Sequence, residues 1–144
     1  MMRRYIEVPL QLLDIEGEGF HIMVQGMIHG KEARFLIDTG ASRSVFDPKT
    51  ISSFIDDVEF EKKEGLSAGL GISDSEIITF KIECFFIGDL EIQNYEAAAM
   101  DLEIVDEMYG KVGLPHIDGI IGGDLLKRHK AVINYRSKKL RLTP

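Results

Sequence analysis

One short stretch of the sequence delivers a single carboxylate to a position where it could act on a substrate. In RFLIDTGASRSVFD, residues 34–47, an apolar strand runs directly into Asp38, and Thr39 and Gly40 follow. The strand would hold the acid on a rigid element, and the glycine permits a tight turn whose amides can point back at the carboxylate. Thr39 adds a hydroxyl that can bond to neighbouring backbone groups.

The chemistry open to such a carboxylate is acid–base hydrolysis. One carboxylate alone is a weak hydrolytic catalyst. Two that share a proton are a strong one, because the ionised member can take a proton from water while the protonated member polarises the substrate carbonyl. The sequence contains Asp-Thr-Gly only once. Since a bare Asp-Thr-Gly is also a common surface turn, the surrounding elements must decide between catalysis and a structural turn.

The elements before Asp38 have the period of β-strands. Apolar and polar residues alternate over residues 6–12, whose proline pushes the strand toward a sheet edge, and again over residues 20–24. A two-residue turn at 29–30 then reverses the chain, and the alternation resumes over residues 33–37. Asp38 is therefore predicted to stand at the end of a hairpin strand.

The rest of the chain also favours a β-rich fold. Residues 76–100 are β-branched and aromatic around a Gly88-Asp89 turn, which predicts a second hairpin, and residues 131–142 predict a last one. The pattern gives about eight short strands and two short helices. This indicates a mostly-β domain over residues 1–144, in the form of a small closed barrel.

Residues typical of helix ends predict two short helices, and charge and apolar content distinguish the segments that connect the elements. A short helix should follow Asp47, an N-cap residue with proline behind it. Residues 118–129 predict an apolar strand, a glycine pair and a short helix capped by Asp124. Residues 59–65 are charged and are interpreted as a solvated link. Residues 101–116 are assigned as loop, although one face of a helical turn could be lined by Leu102, Val105 and Met108.

Composition narrows the classes of partner. The formal charge of −7 argues against nucleic acid and against anionic membrane surfaces, both of which need clustered cations. Cys84 is the only cysteine, so no internal disulfide can form, and its setting predicts a buried strand position instead of a catalytic thiol. The first residues lack the pattern of a signal peptide, which predicts a cytoplasmic location. No apolar run approaches the roughly 18 residues of a membrane span.

Two motifs together carry a family resemblance. FLIDTGAS and the downstream IDGIIGGDLL, in this order, resemble the retropepsin-like aspartic proteases, especially their small bacterial members. The resemblance implies a retropepsin-type closed β-barrel with one or two short helices, and it implies that Asp38, Thr39 and Gly40 form the catalytic loop. The later apolar-apolar-Gly element, which would pack beneath that loop, is Ile120, Ile121 and Gly122. The flap that covers a bound peptide would be Ala68, Gly69, Leu70 and Gly71.

The resemblance also implies an activity. Family members with one Asp-Thr-Gly per chain build the active site from two chains, so the resemblance implies a homodimeric aspartic endopeptidase acting on peptides or proteins. A water between the two copies of Asp38 would attack the scissile carbonyl, and no cofactor would be needed. The alternative is a peptide-binding or dimerisation module that keeps the fold without turnover.

Other residues able to do chemistry receive structural interpretations. The glycines of GIIGGDLLKRHK do not have the spacing of a nucleotide-binding motif, and Asp124 would repel a phosphate at the helix start. The histidines are scattered without a pair at metal-ligand spacing, so no metal site is predicted. His129 is interpreted as a charge at a helix end. Asp118 could line the cleft or be a solvated turn acid.

Overall fold

Strands make up most of the regular structure in the computed structural model, which describes residues 4–17, 19–64 and 76–144. In chain order the strands are β1 (Ile6–Pro9), β2 (Gln11–Asp14), β3 (Phe20–Ile28), β4 (Lys31–Ile37), β5 (Val45–Phe46), β6 (Glu61–Glu64), β7 (Glu76–Ile87), β8 (Leu90–Ala99), β9 (Gly119–Ile121), β10 (Val132–Asn134) and β11 (Lys139–Leu142). The helices are α1 (Pro48–Phe54), α2 (Glu103–Lys111) and α3 (Gly123–Arg128). The mostly-β class is confirmed, with one helix more than the sequence predicted.

The strands form two sheets, one of which returns on itself. The smaller sheet has the order β1-β11-β10, and the larger has the order β2-β3-β4-β9-β5-β8-β7-β6. An additional pairing of β3 with β7, in which Gly26 lies opposite Ile87, joins six strands of the larger sheet into a ring. Strands β2 and β6 are not part of the ring: β2 pairs with β3, and β6 pairs with β7.

The predicted hairpins are confirmed. At the first turn His29 and Gly30 both have positive φ, 48° and 79°, as a two-residue hairpin turn requires. The second hairpin turns at Gly88, where φ is 55°. Strands β10 and β11 pair as the last hairpin. Asp47 is confirmed as the N-cap of α1, where its Oδ1 accepts from the Lys49 amide at 2.9 Å.

The core explains why the last three residues of β4 before Asp38 are all apolar. Phe35 lies inside the ring and makes edge-to-face contacts with Phe46 and Phe85, with ring centroids 6.0 and 6.1 Å apart. Leu36 faces the other way, into a second buried cluster shared with α2. Because this end of β4 is covered on both faces, its last three residues are apolar without alternation.

Two strand predictions are wrong in detail. Residues 6–12 do not form one strand, because the chain leaves the first sheet at Leu10 and continues in the second. The amide of Leu10 donates instead to the carbonyl of Lys138. Residues 59–65 are not simply a link, since Glu61–Glu64 forms β6 and pairs with β7. An edge strand uses its backbone for pairing and can keep charged side chains in water, which hides it from an apolar pattern.

Residues 101–116, predicted as loop, contain helix α2. Its first turn carries Glu103 and Asp106 and its last turn Lys111, an arrangement that suits the helix dipole. Tyr109 of α2 is completely buried. The helix is therefore held by packing of a few large side chains and not by a long apolar stripe. The described helices include none that is long and apolar enough to cross a membrane.

Cys84 is half-buried in β7 and does not occupy the predicted buried position. The inward-facing residues change phase between Ile82 and Phe85, so Cys84 falls on the outer face. The irregularity lies opposite Asn94, whose φ is 51°. Burial, together with a hydrogen bond to Glu91, raises the pKa of the Cys84 thiol, which disfavours the reactive thiolate.

Candidate active site

The turn that follows β4 holds the Asp38 carboxylate in a fixed direction. The amide of Gly40 donates to Asp38 Oδ1 at 2.9 Å, and the amide of Ala41 donates to the Asp38 carbonyl oxygen at 3.2 Å. A Cβ atom on Gly40 would lie 3.2 Å from the same Oδ1, so glycine allows the close approach. Asp38 is half-buried, and the next two residues of the turn are exposed. The carboxylate is thus oriented by its own turn and open to solvent.

A hydrogen-bond network fastens this turn to the segment after β9. Ser44 donates to Asp124 Oδ1 from both its amide, at 2.8 Å, and its hydroxyl, at 2.7 Å. The amide of Gly122 donates to the Ser44 hydroxyl oxygen at 2.9 Å. Tyr95 donates its hydroxyl to Asp124 Oδ2 at 2.5 Å. Burial raises the pKa of the Tyr95 phenol, so it remains a donor.

The sequence predicted that Asp124 caps α3, and this prediction is wrong. The N-cap of α3 is Gly122, which has no side chain to offer, and Asp124 lies in the first turn. Its carboxylate turns toward Ser44 and Tyr95 because these donors are buried and need an acceptor. The residue type correctly indicated a hydrogen-bond acceptor near the start of α3. Its donors, however, are Ser44 and Tyr95 and not the amides of the helix.

The apolar-apolar-Gly element lies next to the Asp38 turn. Strand β9 runs parallel to β4, with Leu36 beside Ile120 and Ile37 beside Ile121, and it runs antiparallel to β5. The amide of Asp38 donates to the Ile121 carbonyl at 3.0 Å. The predicted flap residues, Ala68 to Gly71, lie outside the described residues.

The first amides of α3 donate to backbone carbonyls of the segment that follows Asp38. The amide of Gly123 donates to the Ala41 carbonyl at 2.7 Å and that of Asp124 to the Ser42 carbonyl at 3.2 Å. A Cβ atom on Gly122 would lie 2.7 Å from the Ala41 oxygen, so this glycine is required for the close approach of the two backbones. The segment is therefore a backbone clamp on the Asp38 turn, and the amides of Gly122, Gly123 and Asp124 are used in bonds within the protein.

Asp38 and Thr39 line a cleft of about 260 Å³. Asp38 is the only carboxylate among the described residues that line it, and the wall includes Phe20, His21, Ile133 and Tyr135. Sequence reasoning missed these residues. The feature that could have pointed to them is an aromatic residue at the end of each of two strands. Both side chains are largely exposed in the structure, Phe20 by 62% and Tyr135 by 59%.

Behind the cleft, Tyr109 contacts His21. The phenol oxygen of Tyr109 lies 2.6 Å from His21 Nδ1. Burial and then the charge of Asp38 raise the pKa of Tyr109 to about 12. Tyr109 belongs to α2, which the sequence predicted as loop, so no pattern pointed to it.

Asp118 lies at the opposite end of the strand pair from Asp38. Its Oδ2 accepts from the Arg34 amide at 2.8 Å, four residues before Asp38 on β4. Four residues of a parallel strand span about 13 Å, so the two carboxylates cannot share a water. Asp118 is only 8% exposed, which also excludes the solvated turn acid. Its Oδ1 lies 3.3 Å from His116 Nε2, an ion pair whenever His116 is protonated, and burial raises the pKa of the Asp118 carboxyl.

His129 lies at the C-cap of α3, the helix end predicted for it. It is buried, and its Nδ1 lies 2.9 Å from the Thr143 carbonyl oxygen. Its Nε2 is buried without a hydrogen-bond partner among the described residues. The side chain thus fills a structural position away from the Asp38 cleft.

Comparisons with known proteins agree on one family. The family profile described as aspartyl protease matches residues 24–125, which include the Asp38 turn and the segment that clamps it. A search of curated proteins finds no match to this chain. Among solved structures, a retropepsin-like aspartic protease from Rickettsia conorii has a TM-score of 0.57 at 15% identity and covers 96% of this chain and 90% of its own. The retroviral protease-like domain of Ddi1 from Leishmania major has a TM-score of 0.55 at 19% identity and covers 85% and 87%.

Proposed function

Because the chain belongs to the aspartyl protease family and has the retropepsin-like fold, we propose that it is an aspartic endopeptidase that hydrolyses peptide bonds with Asp38. The supporting observation is the Asp38 carboxylate itself. It stands at the end of a rigid strand, is oriented by the Gly40 amide, and opens into a cleft. A hydrolytic carboxylate needs this combination of fixed direction and solvent access.

The second carboxylate of the dyad would come from a second copy of the chain. Asp38 is the only acid in its cleft among the described residues, and Asp118 is about 13 Å away along the strand pair. Thr39 and Gly40 are exposed, so the turn can meet a symmetry-related turn. A two-fold axis beside Asp38 would bring identical carboxylates to one water.

The proposed reaction proceeds without a covalent enzyme intermediate. One proton is shared between the two copies of Asp38. The ionised carboxylate takes a proton from the water while the water oxygen attacks the scissile carbonyl. The protonated carboxylate donates to the carbonyl oxygen, and a tetrahedral intermediate forms. Its collapse expels the amine, which takes up a proton. The substrate would be an extended peptide, because a strand can pair along the cleft through its backbone.

The experiment that tests this proposal is peptide-library cleavage by wild type and by Asp38→Asn. We expect wild type to cleave and Asp38→Asn to be inactive at an unchanged melting temperature, because an amide cannot serve as the base and is nearly the same size. Asp118→Asn is the matched control and should retain cleavage. Cleavage by Asp38→Asn at the wild-type rate would overturn the proposal. Peptide binding without cleavage by wild type would favour the peptide-binding module instead.

A further inference from the structure

Helix α2 places one buried side chain behind the wall of the Asp38 cleft, against His21. Tyr109 is fully buried in the cluster that packs α2 against β3 and β4. Its ring meets the His21 ring edge to face, with centroids 5.4 Å apart and planes at 74°. Its phenol oxygen lies 2.6 Å from His21 Nδ1. His21 is therefore held at two points, by ring contact and by a hydrogen bond.

This hydrogen bond fixes which ring nitrogen of His21 carries the proton. Tyr109 is completely buried, and its hydroxyl has no other hydrogen-bond partner among the described residues, so with a neutral imidazole the hydroxyl donates to Nδ1; in the opposite arrangement its hydrogen would have no acceptor. A neutral imidazole with an accepting Nδ1 carries its proton on Nε2. The pair therefore leaves His21 with one N–H donor, at Nε2.

The donor has no partner within the described part of the chain. No hydrogen bond of His21 Nε2 is formed there. Apart from Asp38 and Thr39, the side chains that line the cleft with His21 are apolar or aromatic. A bound peptide that covers His21 with an apolar side chain would leave this donor without water or acceptor. Sites of this kind discriminate against substrates that cannot complete the hydrogen bond.

We propose that His21, held by Tyr109, determines specificity at the Asp38 cleft and selects peptides with glutamine or glutamate beside the scissile bond over leucine or methionine. This inference rests on the proposed function. Tyr109 acts as a positioning residue, because it touches His21 and is itself out of reach of substrate. Helix α2 thereby has a role in substrate choice and not only in packing.

The test is competitive cleavage of a peptide library by wild type, His21→Phe and Tyr109→Phe. At one position flanking the cleavage site, wild type should favour glutamine and glutamate over leucine and methionine by roughly tenfold in kcat/KM. In His21→Phe that ratio should fall to about one, and in Tyr109→Phe it should fall about threefold. The matched controls are His29→Asn, in the exposed β3–β4 turn, and Tyr5→Phe, which should keep the wild-type ratio. An unchanged ratio in His21→Phe would overturn the inference.

A second measurement separates this inference from the proposed function. The ¹⁵N spectrum of the His21 ring should show the Nε2–H tautomer in wild type and a mixture in Tyr109→Phe. Adding a glutamine peptide to Asp38→Asn should shift His21 Nε2, and a matched leucine peptide should not. If wild type cleaves nothing but these shifts appear, only the proposed function fails. Equal shifts with both peptides, or the same tautomer in Tyr109→Phe, would refute the role of the pair.

Discussion

The Ser44 hydroxyl donates to Asp124 Oδ1 over 2.7 Å although the two residues are 80 positions apart in the chain. The same hydroxyl accepts from the Gly122 amide at 2.9 Å. The side chain of Ser44 therefore connects the segment after the Asp38 turn to the end of β9 and to the first turn of α3. The orientation of Asp38 depends on residues that the chain supplies much later.

Replacing Asp124 should lower both the free energy of unfolding and the rate of peptide cleavage. In Asp124→Ala the amide and hydroxyl of Ser44 and the hydroxyl of Tyr95 lose their acceptor. We expect a loss of about 2–4 kcal/mol in the free energy of unfolding, because several buried donors become unpaired. Urea denaturation measures this. Asp56→Ala removes an exposed acid and should stay within about 0.5 kcal/mol of wild type. Equal stability of the two variants would show that the network contributes little.

Adding a methyl group at Gly122 should displace the Asp38 turn. Its Cβ would lie 2.7 Å from the Ala41 oxygen and 2.9 Å from the Arg43 carbonyl carbon, both backbone atoms. Gly122→Ala should cost about 1–3 kcal/mol and lower peptide cleavage further than the stability loss alone explains. The neighbouring Gly123→Ala is the control, since its Cβ would approach the Ala41 oxygen only to 3.4 Å. Similar melting and cleavage in the two variants would contradict the steric clamp.

The Asp118 carboxyl should make stability depend on pH in a predictable direction. Burial raises its pKa above the ordinary value of 3.8, so the folded state favours the protonated form. That stabilisation is complete below the ordinary value and is lost as the pH rises through the raised one. Asp118→Asn is neutral throughout and keeps an acceptor for the Arg34 amide. Its melting temperature relative to wild type should therefore rise between about pH 3 and about pH 7.

The control for this pH series is Asp56→Asn, which also removes one negative charge but from an exposed position. Its melting temperature relative to wild type should change less across the same range. A relative melting temperature of Asp118→Asn that falls with rising pH would mean that the ion pair with His116 outweighs the cost of burial.

A shared active site makes cleavage depend on concentration. If each chain supplies one Asp38, specific activity should fall on dilution through the dimer dissociation constant. Excess Asp38→Asn chains should poison the wild-type enzyme by forming dimers with one carboxylate. Activity assays and sedimentation over one concentration range test both statements. Constant specific activity from a monomer, without poisoning, would rule out the two-chain site.

Much of the scaffold around Asp38 could be predicted because its signals are local. The turn at His29 and Gly30 needs positive φ, and the chain offers a glycine there. The N-cap at Asp47 uses an amide two residues away. In each case the interacting groups are neighbours in the chain, so residue type and spacing were sufficient.

The parts that sequence reasoning missed depend on distant partners. Tyr109 is buried partly by Met23 and Leu36, which come more than 70 residues earlier, and nothing in its own segment marks it as the contact of a cleft residue. Asp124 has the residue type and position of a cap, and only the arrival of Ser44 and Tyr95 redirects it. Cys84 follows an alternation that changes phase at a strand irregularity. Tertiary contacts override local preference at all three residues.

The parallel pairing of β4 with β9 also sets the order in which the protein matures during synthesis. A ribosome releases the N-terminal part of a chain first, and parallel strands far apart in sequence pair late. Until residues 119–128 have emerged, the Asp38 amide has no Ile121 carbonyl and Ser44 has no Asp124. The nascent chain therefore carries Asp38 without the contacts that hold its turn, and the turn is assembled only after residues 119–128 have been made.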